Sequence, residues 1–103
     1  MTSFGDTLQG LDIHDAIDRV YETFDDMYHA GRFAEANAIF ETFDVSTVPV
    51  SVLLSLLTVA RWPKLRGDAE KVPAAHGLYQ RVRERLIQEG DPEINELLAG
   101  LEP

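Results

Sequence analysis

The chain has no cysteine. Disulfides, thiolate metal sites and cysteine nucleophiles are therefore excluded, and the chain carries no mark of an oxidising compartment. Long apolar runs are missing too. The longest, residues 48–60, is interrupted by Pro49, Ser51, Ser55 and Thr58 and is too short to span a bilayer. The first residues do not join a basic region to an apolar run, so no signal peptide is expected. These absences point to a soluble, cytoplasmic protein. The seven glycines are scattered, so no phosphate-cradling loop is present. Ser46, Ser51 and Ser55 lack the Gly-x-Ser-x-Gly context of a hydrolase nucleophile. Bases are few, nine Lys and Arg against eighteen Asp and Glu.

What is present begins with the distribution of that charge. Residues 1–47 carry −8, residues 48–60 none, residues 61–85 +4 and residues 86–103 −5. A chain polarised in this way has an acidic end and a basic middle. The polarity serves intramolecular complementarity and solubility, or it selects a partner. At 103 residues with 45% apolar content, the chain is expected to form one domain around one core.

Apolar positions recur with a helical period almost throughout. Ile13, Ile17, Val20, Tyr21, Phe24, Met27 and Tyr28 form one stripe, which predicts a helix over about 12–30 with Asp12 as N-cap. Gly31 stops it. Phe33, Ala36, Ile39, Phe40 and Phe43 mark a second helix over about 33–43, and the small Ala36 lets the pair approach closely. Ser46 or Thr47 is expected to cap a third helix, with Pro49 in its first turn. That helix is apolar nearly all round, which predicts a central position, and Trp62-Pro63 is expected to end it. Residues 62–73 then form a long charged connection. A fourth helix over about 73–89 buries Ala75, Leu78, Tyr79, Val82 and Leu86. Gly77 inside it suggests close packing on the central helix, and Gly90 is the stop. A short last helix starts at Asp91-Pro92 with Ile94, Leu97, Leu98 and Leu101 as its stripe. Residues 1–11 form an N-terminal arm, and residues 12–103 a single helical domain. The expected fold is all-α, a compact bundle of four main helices and a short C-terminal one, built from two helical hairpins.

Gly31-Arg32-Phe33-Ala34-Glu35-Ala36, followed by Phe40, resembles the corner and second helix of a tetratricopeptide repeat. The similarity covers about residues 13–43. Phe24 and Phe43 stand where that family prefers small residues, and no second copy is present, since a basic loop takes the place of the corner in the second hairpin. Repeat arrays need about three copies to bury a continuous core. The resemblance therefore implies one repeat-like hairpin inside a compact bundle, and a role in protein–protein interaction rather than catalysis.

No catalytic, cofactor-binding or metal-binding residues emerge. Asp26-Met27-Tyr28-His29 has the acid-x-x-His spacing of bundle-core di-iron sites, but that chemistry needs a second such motif on a facing helix. An Asp25–His29 pair one turn apart is the expected arrangement. His14 is expected at the surface, and His76 has no acid at a useful spacing. The paired acids Asp25 and Asp26 lie on the polar side of their helix, without the burial that suits a carboxyl for general-acid work. An enzyme is not expected, and no cofactor is implied. The candidate partner-binding residues are Arg61, Trp62, Lys64, Arg66 and Lys71. They form the one basic region on an acidic chain, interleaved with its only Trp. Such a patch suits a protein with an acidic surface or a second copy of the chain. Trp62 could equally plug the core at the end of the central helix. Nucleic acid would be repelled by the rest of the molecule, and no membrane contact is expected. The alternative is an acidic inhibitor or nucleic-acid mimic that presents Asp12, Asp15, Asp18, Glu22, Asp25 and Asp26 to a basic groove.

Overall fold

A computed structural model describes residues 4–46 and 48–100. The elements in order are α1 (Phe4–Leu8), α2 (Ile13–His29), α3 (Phe33–Thr42), α4 (Val50–Leu65), a 3-10 turn (Ala69–Lys71), α5 (Ala74–Glu89) and α6 (Pro92–Ala99). No strand occurs among the described residues, and the fold is an all-α bundle. Among the described residues, no helix is long and apolar enough to cross a membrane.

Each helix end has a local cause. The Asp12 carboxylate accepts from the Asp15 N–H at 2.8 Å and so caps α2. At the other end, Gly31 takes φ +73°. Its N–H bonds the Tyr28 carbonyl and the Arg32 N–H bonds the Met27 carbonyl, the paired bonds of a Schellman stop. α4 ends in the same way. Gly67 has φ +79°, with Gly67 N–H on the Lys64 carbonyl and Asp68 N–H on the Pro63 carbonyl. Asp91 caps α6 through the N–H groups of Glu93 and Ile94.

α4 packs against α2 on one side and α5 on the other, while α3 packs against α2 and α5. The four helices thus close a ring around the core. Two polar ties fix α3 on α5. The Asn37 side-chain oxygen accepts from the Ala74 N–H at 2.8 Å, which caps the start of α5 from the middle of α3. Farther along both helices, the Arg81 guanidinium donates to the carbonyls of Phe40 and Phe43 at the end of α3. A cation there also suits the negative end of that helix dipole. The order of these ties makes α3 and α5 run in the same direction, so the hairpins α2–α3 and α4–α5 stack in the same sense. Phe24, Phe40, Leu53, Leu56, Leu78 and Leu86 fill the space between them. Phe24 stacks on Phe40 with ring centres 4.8 Å apart, beside the fully buried Ala36. From α1, Phe4 lies edge-on to Phe24.

Several expectations are corrected. α4 does not end at Trp62-Pro63 but continues to Leu65. A proline inside a helix removes one N–H and orphans the carbonyl four residues earlier, here Val59. The Tyr28 hydroxyl donates to that carbonyl at 3.1 Å, which replaces the missing bond and lets the helix continue. The long connection is correspondingly short, residues 66–73, and holds a 3-10 turn. Pro49 is the N-cap of α4 rather than part of its first turn. Ser46 does not cap that helix, since its hydroxyl and N–H both bond the Asp44 carboxylate. Thr47 and Leu101 lie outside the described residues, as do residues 1–3 of the arm. Gly77 marks no close approach, because it is exposed and nothing lies within 4 Å of a Cβ placed there. Ile13 is 48% exposed, with Ala16 taking the buried position at that end of α2. Leu97 is exposed as well, and Leu98 is the buried anchor of α6.

Candidate functional site

The five basic-segment residues belong mostly to helix rather than loop. Arg61, Trp62 and Lys64 lie on the last turns of α4, Arg66 is its C-cap, and Lys71 closes the 3-10 turn. A helix advances about 100° per residue, so positions 61 and 64 share one side and positions 62 and 66 another. The segment is thereby divided between two surfaces.

The first surface is an aromatic seam between α2, the end of α4 and the start of α3. Trp62 is half-buried, with its ring 5.9 Å from that of Tyr21 and 6.1 Å from that of Tyr28. Tyr28 continues the seam to Phe33 at 6.2 Å. Two cations lie over it. The Arg66 guanidinium is 5.1 Å from the Trp62 ring centre and 5.7 Å from that of Tyr28, and Lys71 Nζ is 5.0 Å from that of Phe33. Each cation also meets an acid. Arg66 lies 3.4 Å from Asp25, which His29 approaches to 3.2 Å, and Lys71 lies 3.2 Å from Asp68. Burial raises the Tyr28 phenol above its ordinary pKa, and Arg66 opposes the shift. Tyr28 therefore stays protonated and remains the donor that Val59 requires. Next to Trp62 and Arg66 stands Leu65, 67% exposed, the most exposed large apolar side chain among the described residues.

The second surface is a groove of about 330 Å³ between α4, the 3-10 turn and α5. Arg61 and Lys64 line it from α4 with Ala60 and Pro63, and Val72, His76 and Tyr79 line it opposite.

Trp62, Arg66 and Lys71 are thus gathered over the seam, while Arg61 and Lys64 belong to the groove. Sequence reasoning missed Tyr21 and Tyr28 as neighbours of Trp62, and Asp25 as the partner of Arg66. The seven-residue spacing of the two tyrosines, two turns on one face of α2, was the available signal. Arg81, on α5, is spent on the carbonyls at the end of α3 and adds nothing to either surface. Among the described residues, no three His, Asp or Glu side chains are grouped as a metal site would need. Comparison of the chain with protein-family models, with curated proteins and with solved structures finds no match.

Proposed function

We propose that this chain is a small cytoplasmic protein–protein interaction module, without catalytic activity, that binds an acidic partner through the end of α4. The carrying observation is Leu65. It stands two-thirds exposed one turn from Trp62, on a helix whose other large apolar side chains are buried or half-buried. Its neighbours Trp62 and Arg66 are of the residue types most enriched at interface hot spots, and exposed apolar surface next to them suits a partner contact. The bases at this end sit on a molecule of net charge −9, so electrostatics would favour an acidic partner and speed its approach. A second copy of the chain would meet the seam with its own acidic α2. The same-sense stacking of the two hairpins is also how helical repeats stack, and it supports the tetratricopeptide-like reading of the first hairpin.

The test pairs Leu65→Ser with Arg66→Ser in one variant and captures partners from the native host extract. Both side chains are exposed, so the melting temperature should fall by no more than a few degrees. The variant should lose an acidic partner that the wild type retains, and association by the wild type should slow as salt rises. Capture by the variant at the wild-type rate in low salt refutes the surface. A basic partner or a nucleic-acid-binding protein, retained by the variant and lost on neutralising Asp15, Asp18 and Glu22, would favour the acidic-inhibitor reading instead.

A further inference from the structure

We infer that the chain associates with itself head to tail, the end of α4 in one copy packing on α6 of the next. The inference rests on the reading of the α4 end as a contact for an acidic partner, and it names that partner's surface.

The two surfaces lie at opposite ends of the bundle. α4 and α5 are successive antiparallel helices, so the end of α4 is beside the start of α5. The end of α5, and α6 after it, lie at the far end, about 24 Å away along a 16-residue helix. Within one molecule the two surfaces cannot meet.

Each end pairs a charge with an exposed leucine, and the charges are of opposite sign. On α4, Arg61 precedes Leu65 by four residues, so the two are neighbours on one face. On α6, Glu93 precedes Leu97 by four residues in the same way. Leu65 is 67% exposed and Leu97 51%. Neither Arg61 nor Glu93 has an ion-pair partner among the described residues. Ile87, also exposed, adds apolar surface from α5 at the acidic end. With α4 of one copy laid along α6 of the next in the same direction, Leu65 meets Leu97 and Arg61 meets Glu93. The acidic α2 offers no such pairing, because no acid stands one turn from Ile13, its exposed large apolar side chain.

The charge of the wider segments agrees, with +4 over residues 61–85 against −5 over residues 86–103. Both copies carry a net charge of −9. At physiological salt, charges more than about 8 Å apart are largely screened, so the local match acts while much of the overall repulsion does not. A contact between two different surfaces is heterologous, so association continues past a dimer unless a ring closes.

Sedimentation at physiological salt, from micromolar to millimolar protein, tests the inference. The average mass of the wild type should rise past that of a dimer with concentration. Leu65→Ser blocks one end and Leu97→Ser the other. Both side chains are exposed, so both variants should melt within a few degrees of the wild type. Alone, each should associate about tenfold more weakly. Mixed in equal amounts, they should form a dimer and stop there, because one intact contact joins them and both remaining ends are blocked. In the wild type, amide resonances of residues 61–66 and 93–97 should move on dilution, a readout that needs no variant. A wild type that stays monomeric at millimolar concentration, a mixture that recovers no dimer, or dilution shifts outside both segments overturns the inference. A foreign acidic partner that Leu65→Ser loses and Leu97→Ser keeps, with no self-association of the wild type, upholds the α4 end as a contact and overturns the head-to-tail inference alone.

Discussion

Removing the Tyr28 hydroxyl tests how a proline is carried inside α4. Tyr28→Phe leaves the ring in place against Phe24, Phe33 and Trp62 and deletes only the donor to Val59. The Val59 carbonyl cannot turn to its helical partner, because position 63 is proline and has no N–H. Val59 is fully buried, so water is not a ready substitute. A buried group left unsatisfied costs about 1–3 kcal/mol. A central value of about 2 kcal/mol lowers the melting temperature by roughly 8–16 °C for a domain of this size. The decisive comparison is made in a Pro63→Ala background, where the backbone N–H restored at that position can bond the Val59 carbonyl. There Tyr28→Phe removes one hydrogen bond without orphaning a carbonyl and should cost about 0.5–1 kcal/mol. Urea denaturation of all four proteins, followed by circular dichroism, gives the coupling from a double-mutant cycle. Equal cost in both backgrounds, to within about 0.5 kcal/mol, refutes the compensation between Tyr28 and Pro63.

Arg81→Gln removes the charged donors from the end of α3 and should destabilise by about 1.5–3 kcal/mol in the same urea assay, whereas an unchanged midpoint would mean that those carbonyls have no need of Arg81. Gly31→Ala and Gly77→Ala should act with opposite sign in thermal melts. The first forces a Cβ into a left-handed residue and costs about 1–2 kcal/mol, while the second meets open space on an exposed helix and gains up to about 1 kcal/mol. The side-chain hydrogen bond from Ser46, then its backbone bond, hold the Asp44 carboxyl below its ordinary pKa. Ser46→Ala should therefore raise the Asp44 midpoint in a carboxyl NMR titration. The sign follows from the direction of the shift: the bonds to the charged carboxylate are complete above the ordinary Asp range and are lost as pH falls through the depressed value.

Most of the bundle was legible because helical period and helix punctuation are local. The stripe from Val20 to Tyr28, the stop at Gly31 and the cap at Asp12 each depend on residues within a turn or two of one another. What was not legible depends on a distant partner. Pro63 is locally a helix stop, and it becomes an interior residue only because Tyr28, thirty-one positions before Val59, supplies the bond that the helix lacks. Asn37 and Arg81 have the same character. Each looks like an unremarkable surface polar residue until the hairpins stack and the free end of a neighbouring helix arrives beside it. Gly77 failed for a different reason. An isolated glycine in a helix is compatible both with tight packing and with none, and periodicity does not separate the two.

The extension of α4 by a few residues changes what its basic segment can do. In a loop, Arg61, Trp62, Lys64, Arg66 and Lys71 would have formed one flexible patch. On a helix, angular position separates them. Taking Arg61 as zero and about 100° per residue, Lys64 lies near 300°, Trp62 near 100° and Arg66 near 140°. Pro63, near 200°, turns inward and is buried, while Leu65, near 40°, is left on the crest between the groove and the seam. One and a half turns of helix thus serve two surfaces of different chemistry. The seam has its cations laid over aromatic rings and matched to Asp25 and Asp68, so its charge is largely answered within the molecule. The groove keeps Arg61, which has no ion-pair partner among the described residues. Charge counted along the sequence pointed to the segment as a whole. The unanswered part of that charge lies on the groove wall, and the exposed apolar anchor lies on the crest beside it.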